Sequence, residues 1–363
     1  MSNNINAKLR IELVQKLMSE HGIDVSIVTP GINFRYLTNE NAISLERLTA
    51  LVIGKDNYWL VVPQLEFHQA QELHSDLEII PWRETDDPYS LVADLVRNPE
   101  IMALDEKMPY FHVEKFQKKI CASFLSFASI SQQLRSVKSE SEILELKKIG
   151  ESINKVHLQL TNLRFKNKSE IQVAKEIREL ILVDHETVDF VIVAAGPNSA
   201  NPHHIPGERL IKSGDVVVID IGGTSRSGYC SDCTRTYVVD QTTEEFSRDF
   251  SQLLNAQALG VSEAKAGIPA ESLDNFVREY LEKADLAQWF IHRLGHGIGM
   301  ETHEAPYLVA GNEKLLEFGN VFSIEPGFYI PGKWGARIED IVAVTELGLI
   351  NFNDFDHGLR ILS

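Results

Sequence analysis

Four acidic residues that interrupt apolar, strand-like segments are the part of this sequence best suited to chemistry. Asp220 lies in DVVVIDIGG (215–223) and Asp232 lies in YCSDCTRTYVVD (229–240), with a turn-rich stretch centred near Arg226 between them. An antiparallel hairpin around that centre predicts Asp220 directly opposite Asp232, with Cβ atoms roughly 4.5–5.5 Å apart. Two buried carboxylates placed in this way need a cation between them.

A second pair of segments repeats this construction near the C-terminus. NVFSIEPGFYI carries Glu325 and GARIEDIVAVTE carries Glu339, and Gly332 is the midpoint between the two glutamates. The predicted hairpin therefore pairs Glu325 with Glu339. Four acids on a solvated edge would need no cation, but the apolar flanks of both hairpins favour burial. Two divalent cations would neutralise the four buried charges.

Histidines on two glycine-containing segments are candidates to complete such a site. HRLGHGIGMETHE contains His292, His296 and His303, and PHHIPG, ahead of the first acidic strand, contains His203 and His204. A ligand set of mostly carboxylates with one or two imidazoles suits Mn²⁺, Co²⁺ or Zn²⁺. We therefore predict a site for about two divalent cations rather than a structural zinc site held by thiolates.

The three cysteines do not add a second site. Cys121, Cys230 and Cys233 are too few and too uneven in number for a disulfide framework. Cys230 and Cys233 stand three positions apart, so in a regular strand their thiols point to opposite faces. This offset favours two small core residues over a redox pair or half of a zinc site.

The composition excludes some classes of partner. The chain has 363 residues, with 52 acidic against 35 basic side chains and a formal net charge of −17. Nucleic-acid binders rely on cationic side chains that neutralise phosphates, so we expect no nucleic-acid partner. No signal-peptide pattern and no apolar run of membrane-spanning length is recognisable in the sequence. We therefore expect a cytoplasmic protein without a membrane partner.

The elements that must position these residues separate into two predicted domains. In residues 1–134 short apolar runs alternate with amphipathic segments, which predicts a small α/β domain. In residues 135–363 long amphipathic stretches accompany strand-like runs, which predicts an α+β domain. Helix starts in the second domain are predicted at three capping-box spacings and one proline: Ser139 with Glu142, Ser169 with Gln172, Thr242 with Glu245, and Pro269.

Six segments carry a resemblance to the pita-bread metallopeptidases. They span residues 202–346 in the family's order: PHHIPG, VVIDIGG, SDCTRT, GHGIGMETHE, SIEPGFY and RIEDIVAVTE. The chain resembles Xaa-Pro dipeptidase (prolidase), Xaa-Pro aminopeptidase and methionine aminopeptidase. The resemblance implies an α+β pita-bread catalytic domain after a smaller, creatinase-like α/β N-terminal domain that dimerises or covers the pocket.

The resemblance also implies the metal ligands. These are five residues: Asp220, Asp232, His296, Glu325 and Glu339. Asp232 and Glu339 would bridge two metals, Asp220 would complete one site, and His296 with Glu325 would complete the other. The two aspartates are 12 positions apart where the family usually has 11. The extra residue falls in the polar turn, so the ligands should be retained.

Four residues receive catalytic roles from the resemblance. His203, preferred to its neighbour His204, and His303 would be the histidines on the substrate side, and Arg337 would lie near the metals. Glu325 would in addition carry a proton to the leaving nitrogen. Phe190 is predicted as a core residue, with the wall of a proline pocket as the alternative.

The activity implied by the resemblance is dinuclear, metal-dependent hydrolysis of the Xaa-Pro bond, foremost in dipeptides. We expect two divalent metal ions, Mn²⁺ first and Co²⁺ or Zn²⁺ as alternatives, and a small peptide substrate with proline in the second position. A homodimer is also expected. Two alternatives stay open, an Xaa-Pro aminopeptidase that acts on longer peptides and a metal-dependent non-peptide C–N hydrolase of the same fold.

Overall fold

A computed structural model describes residues 7–363, which fold as two compact units that divide between Arg135 and Ser136. Each unit has its own sheets and its own apolar core. In the described part of the chain no helix is both long and apolar enough to cross a membrane.

The first unit is built on a six-stranded mixed sheet. Its strand order is β4-β3-β2-β1-β5-β6, where β1–β2 and β2–β3 are antiparallel pairs and the other neighbours are parallel. Apolar strand residues such as Val52 and Met102 pack against Phe116 of a covering helix. The elements are α1 (Ala7–Glu20), β1 (Val25–Val28), α2 (Ile32–Thr38), β2 (Ala50–Gly54), β3 (Tyr58–Pro63), α3 (Phe67–Leu73), β4 (Glu78–Trp82), α4 (Pro88–Val96), β5 (Ile101–Leu104), α5 (Tyr110–Lys119), β6 (Ser123–Ser126) and α6 (Ala128–Ser136).

The second unit contains two larger sheets and a two-stranded ribbon. Their orders are β17-β9-β8-β7, β11-β10-β12-β15-β16 and β13-β14, with β17–β9 the one parallel pair among the strands described in this unit. The elements are α7 (Glu140–Leu160), α8 (Glu170–Ile181), β7 (Thr187–Ala195), β8 (Val216–Thr224), β9 (Cys230–Val239), α9 (Glu244–Glu263), α10 (Ala270–Lys283), β10 (Gly295–Gly297), β11 (Glu304–Leu308), β12 (Val321–Ile324), β13 (Gly327–Ile330), β14 (Trp334–Arg337), β15 (Asp340–Thr345), β16 (Gly348–Asn351) and β17 (Arg360–Leu362).

A pair of helices covers one side of each larger sheet. Helices α7 and α8 pack on the β7–β8–β9 sheet through residues such as Ile153 and Ile177, and α9 and α10 pack on the other sheet through Phe250 and Val277. In β8 the side chains alternate, so Ile219 and Ile221 enter the helix-side core. The residue between them is Asp220, which therefore projects from the opposite face.

Three of the four predicted helix starts are confirmed. A capping box forms at Ser139, Ser169 is the N-cap of α8 and its backbone N–H donates to the Gln172 side chain, and α10 begins directly after Pro269. The predicted cap of α9 at Thr242 is wrong by one residue. Thr243 is the N-cap, because its hydroxyl accepts a backbone N–H of the first turn, whereas the Thr242 hydroxyl donates to the Thr243 carbonyl.

The cysteines take the predicted structural role. Cys230 and Cys233 are buried free thiols, and Cys233 packs in the core between α7, α8 and the sheet. Burial raises the pKa of the Cys230 thiol to about 12 and the pKa of Cys233 well above its ordinary value. Both side chains are therefore neutral and apolar at physiological pH.

Candidate metal centre

The hairpin of β8 and β9 places its two aspartates on one face of the sheet. Asp220 lies opposite Thr234 and Asp232 lies opposite Gly222. The prediction that the two aspartates face each other directly is therefore wrong by two residues. An offset of two preserves the face, because side chains alternate along a strand. The aspartates are diagonal neighbours instead of a direct cross-strand pair.

The length of the connecting turn explains this offset. The ladder closes at Thr224 and Cys230, so the loop comprises the five residues 225–229 and is centred on Ser227, not on Arg226. The N–H of Gly228, which has a positive φ of 91°, donates to the carbonyl of Ser225. Moving the centre by one residue moves every cross-strand partner by two.

The second hairpin has the predicted register. The β12–β15 and β13–β14 ladders share one centre at Gly332, which places Glu325 across from Glu339 at the break between them. At this break the backbone N–H groups of both glutamates donate to residues outside the hairpin. The N–H of Glu339 donates to the carbonyl of Thr234 at 3.1 Å, and the N–H of Glu325 donates to the carbonyl of Leu294 at 2.9 Å. These bonds join the glutamates to β9 and to the segment before β10.

His296 in β10 points one ring nitrogen towards these acids. Its Nδ1–H donates to the Gly297 carbonyl at 3.1 Å, so its Nε2 carries the lone pair. Nε2 lies 3.2 Å from Oε1 of Glu325 and 3.7 Å from Oδ2 of Asp232. Burial lowers the pKa of His296 to about 3, which keeps the ring neutral, as a metal ligand must be.

The predicted ligands surround one shared space. Among the described residues, three overlapping groups have ligand atoms within 4.8 Å of one another: Asp220, Asp232 and Glu339; His296, Glu325 and Glu339; and Asp232, His296 and His303. Asp232, Glu339 and His296 each belong to two groups. A neutral imidazole has a single lone pair for a metal, whereas a carboxylate has two oxygens, so of these three residues Asp232 and Glu339 can bridge two ions.

Whether divalent cations fit this space can be judged from buried carboxylate oxygens that have no hydrogen-bond partner among the described residues. Oδ1 of Asp220, Oδ1 of Asp232 and Oε1 of Glu339 have no hydrogen-bond partner in the described part of the chain. An uncompensated buried carboxylate oxygen is costly, and native proteins rarely leave one without a partner. Carboxylate oxygens with one or two imidazoles suit divalent ions such as Mn²⁺. The donor set therefore fits a pair of divalent cations.

The pKa values of the buried acids also indicate a site for cations. Burial raises the pKa of Asp232 and of Glu339 well above their ordinary values, and the neighbouring carboxylates raise them further. Burial also raises the pKa of Glu325 to about 7, although Arg337 counteracts part of the effect. Without cations, these acids hold protons that exposed carboxyl groups would have lost.

Arg337 is the cation that the fold supplies to this cluster. Its Nη2 donates to Oδ2 of Asp220 at 2.6 Å, its Nε to the Thr234 hydroxyl at 3.0 Å and its Nη1 to the Tyr329 hydroxyl at 2.7 Å. Tyr329 in turn donates to Nε2 of His292 at 3.0 Å. The guanidinium is thus held at three points. Motif spacing missed Thr234 and Tyr329, although Thr234 stands two positions after Asp232 and so shares its face.

A buried ion pair anchors the strand beside the two site histidines. Nζ of Lys138 lies 2.8 Å from Oε1 of Glu304, and both side chains are almost completely buried. Glu304 directly follows His303 and lies opposite Gly297, the neighbour of His296. The rings of His296 and His303 lie 4.0 Å apart, centroid to centroid. The ion pair therefore helps to hold both histidines in place.

The acids open into a cavity of about 890 Å³. Its lining includes His303, Arg293 and His203, whose ring is exposed. His204 is engaged differently, because its Nε2 lies 2.7 Å from Oε2 of the fully buried Glu170. The structure thus leaves His203 available to a ligand, while His204 contacts the scaffold.

Phe190 is a cavity residue and not a core residue. Its side chain is half-buried and lines the cavity, so the alternative position in the pocket wall is the observed one. Gly222 makes this position possible. A Cβ on Gly222 would lie 2.4 Å from the Phe190 ring, so only glycine lets the ring lie against β8.

Comparisons with known proteins cover nearly the whole chain. Residues 145–346 match metallopeptidase family M24, and residues 10–137 match the creatinase/prolidase N-terminal domain. The probable dipeptidase PepE of Mycobacterium tuberculosis is 39% identical over 359 residues, which are 97% of this chain and 96% of that protein. The Xaa-Pro dipeptidase of Pyrococcus furiosus is 32% identical over 344 residues, 94% and 96% of the two chains. The crystal structure of dipeptidase PepE from Mycobacterium ulcerans has a TM-score of 0.94 at 39% identity and covers 99% of both chains.

Proposed function

The chain belongs to metallopeptidase family M24, and from that premise we propose that it is a dinuclear Xaa-Pro dipeptidase. Peptidase activity of the prolidase type follows from the family and from the curated relatives. The dipeptide substrate and the two metal ions are our proposal. One observation carries it: three carboxylate oxygens buried within a single cluster of acids have no hydrogen-bond partner among residues 7–363.

We assign the metal ligands to five residues: Asp220, Asp232, His296, Glu325 and Glu339. Bound there, two divalent cations would lower the pKa of a water molecule and polarise the substrate carbonyl. The majority of oxygen ligands favours Mn²⁺, with Co²⁺ and Zn²⁺ as alternatives. Asp232 and Glu339 would bridge the ions, since each is a carboxylate with two oxygens and belongs to two ligand groups.

Glu325 is the proposed proton carrier. Its carboxyl group belongs to the ligand cluster, and a carboxyl group next to a bound water can accept a proton from that water and pass it to the leaving nitrogen. Its Oε1 accepts a hydrogen bond from the Ser323 hydroxyl at 3.0 Å, which holds the carboxyl group in one orientation. The proton would be delivered to the proline nitrogen, which has no hydrogen of its own while it is in the peptide bond.

Three cavity residues are proposed to bind substrate. His203 and His303 would donate hydrogen bonds to the peptide carbonyl and to the charge that develops on it. Burial lowers the pKa of His303, so the ring is neutral and still has one N–H to donate. Arg293, whose guanidinium lies 4.5 Å from the centre of the Tyr307 ring, would bind the free carboxylate of a dipeptide.

A hydrolysis panel tests this function. Metal-stripped protein is loaded with Mn²⁺, Co²⁺ or Zn²⁺ and assayed on Xaa-Pro dipeptides, Xaa-Pro-Yaa tripeptides and matched Xaa-Ala dipeptides. We expect cleavage of the Xaa-Pro dipeptides that depends on added metal. Preference for the tripeptides would indicate an aminopeptidase instead. No cleavage of any peptide by protein with bound metal would refute the peptidase proposal at this site.

We also propose that the chain acts as a homodimer, which the family resemblance implies. Sedimentation equilibrium of the full-length chain tests this directly. A mass close to twice 40.9 kDa is expected, and a monomer at assay concentrations would overturn the proposal.

A further inference from the structure

The carboxylates of Asp220 and Glu339 show one shared pattern. In each, one oxygen is held by a protein donor and the other is buried with no partner among the described residues. Oδ2 of Asp220 accepts from Arg337, and Oε2 of Glu339 accepts from the Thr234 hydroxyl at 2.7 Å. The held oxygens determine which oxygen of each acid is left free to bind an ion.

The direction of the hydrogen bonds around Thr234 is determined by chemistry alone. Its hydroxyl lies between the Glu339 carboxylate and Nε of Arg337, at 2.7 and 3.0 Å. A guanidinium only donates, and the Glu339 carboxylate, which must be ionised to bind a cation, only accepts. The single hydroxyl proton of Thr234 must therefore point to Glu339, and its lone pair must face Arg337. One side chain thus connects the residues that hold Asp220 and Glu339.

The surroundings keep this hydroxyl in place. Thr234 is fully buried, lies opposite Asp220 in the β8–β9 ladder and is β-branched, which restricts its χ1 angle. Its carbonyl accepts the N–H of Glu339, so the two residues are joined through both backbone and side chain. Nη1 of Arg235 donates to the Glu339 carbonyl at 2.6 Å. The position of Glu339 relative to β9 is therefore determined at three points.

We propose that Thr234 is a positioning residue of the metal centre. Its hydroxyl turns the Glu339 carboxylate so that Oε1 faces the ligand cluster, and it aligns Arg337 so that Oδ1 of Asp220 does the same. This inference rests on the proposed metal-binding function. It assigns Thr234 no contact with substrate or metal, only an effect through Glu339 and Arg337.

The test compares Thr234→Val, which keeps the shape and removes the hydroxyl, with Thr234→Ser, which keeps the hydroxyl. Full-length protein is stripped of metal and titrated with Mn²⁺ by calorimetry, and the stoichiometry is checked by elemental analysis. Loss of a residue that orients metal ligands typically weakens metal binding about 10–100-fold. We expect that loss for Thr234→Val and near wild-type affinity for Thr234→Ser. Equal affinity of Thr234→Val and wild type would overturn the inference.

The Mn²⁺ titration of wild type and the thermal unfolding of each protein distinguish the possible reasons for a negative result. If wild type binds no Mn²⁺, the proposed function itself is wrong, whatever the variants do. If wild type binds two ions and Thr234→Val binds them equally well, only the role assigned to Thr234 is wrong. Thermal unfolding of the metal-free proteins detects a variant that does not fold. Should Thr234→Val not fold, Thr234→Ala against Thr234→Ser gives the same comparison, and equal affinity of those two would overturn the inference.

Discussion

Replacing Glu325 by glutamine should move stability and activity in opposite directions. In the metal-free protein, burial raises the pKa of Glu325 from its ordinary 4.5 to about 7. Glutamine has nearly the same shape, keeps an oxygen that accepts from the Ser323 hydroxyl, and has no charge to bury. The variant therefore removes a buried ionisable group and, with it, the proposed proton carrier.

The sign and the size of the stability change follow from the two pKa values. Below pH 4.5 the carboxyl group is protonated in both the folded and the unfolded protein, so it has no effect. As pH rises from 4.5 to about 7, the unfolded protein loses the proton first, and the metal-free wild type loses stability. One pKa unit is worth about 1.4 kcal/mol, so above pH 7 the loss reaches about 3 kcal/mol.

Urea unfolding of the metal-free proteins, followed by tryptophan fluorescence, measures this difference. At pH 5 wild type and Glu325→Gln should differ by about 1 kcal/mol or less, and at pH 8 the variant should be more stable by about 3 kcal/mol. The Glu325 carboxylate also helps to raise the pKa values of Asp232 and Glu339, so these two acids lose part of their shift in the variant, and this change further stabilises the variant at pH 8. With Mn²⁺ added, the same variant should show no dipeptide hydrolysis.

A matched control uses an exposed glutamate after β15. Glu346→Gln should leave the pH dependence of stability and the hydrolysis rate unchanged, because this side chain is exposed to solvent. If Glu325→Gln is no more stable than wild type at pH 8, burial of Glu325 does not carry the cost assigned to it. Substantial turnover by Glu325→Gln would show that another group moves the proton.

Three further changes test other parts of the site. Arg337→Lys keeps the charge but loses the planar guanidinium that donates to Asp220, Thr234 and Tyr329 at once, so kcat for a dipeptide should fall about 10–100-fold; unchanged kcat would refute the positioning argument. Lys138→Met removes the ammonium group that lies 2.8 Å from the buried Glu304 carboxylate and should lower the free energy of urea unfolding by about 3–5 kcal/mol, whereas Lys138→Met with Glu304→Gln should recover most of it; an additive double variant would contradict this. Arg293→Ala should raise KM for Leu-Pro about 10–100-fold with little effect on Leu-Pro amide, which lacks the carboxylate; equal effects on both would remove Arg293 from carboxylate binding.

Local pattern was sufficient for the elements and for the identity of the acids. Apolar, strand-like runs predicted the β8–β9 and β12–β15 segments, and an acid inside such a run stands out because burial there is costly. Capping chemistry acts within one turn of a helix, so α7, α8 and α10 were predicted correctly. The cap of α9 was misplaced by one residue because two adjacent threonines offer the same chemistry at either position.

Tertiary contacts decided which polar groups meet. The five-residue turn at 225–229 moved the pairing of β8 and β9 by two positions, and nothing in the run of polar residues distinguishes its centre. His204 differs from His203 only because buried Glu170 lies beside it, a contact across 34 positions of chain. Phe190 faces the cavity because Gly222 on the neighbouring strand leaves room for its ring.

The sequence by itself determined the kind of chemistry. Four acids in apolar strands and a histidine on a glycine-rich turn indicate divalent cations, because residue type and local burial suffice for that inference. Only the tertiary structure decided the orientation of each ligand. Which oxygen of Glu339 is held by Thr234, and which has no partner in the described part of the chain, depends on a hydroxyl from another strand, 105 positions away. Orientation comes from such long-range hydrogen bonds, and they exist only once the sheets have formed.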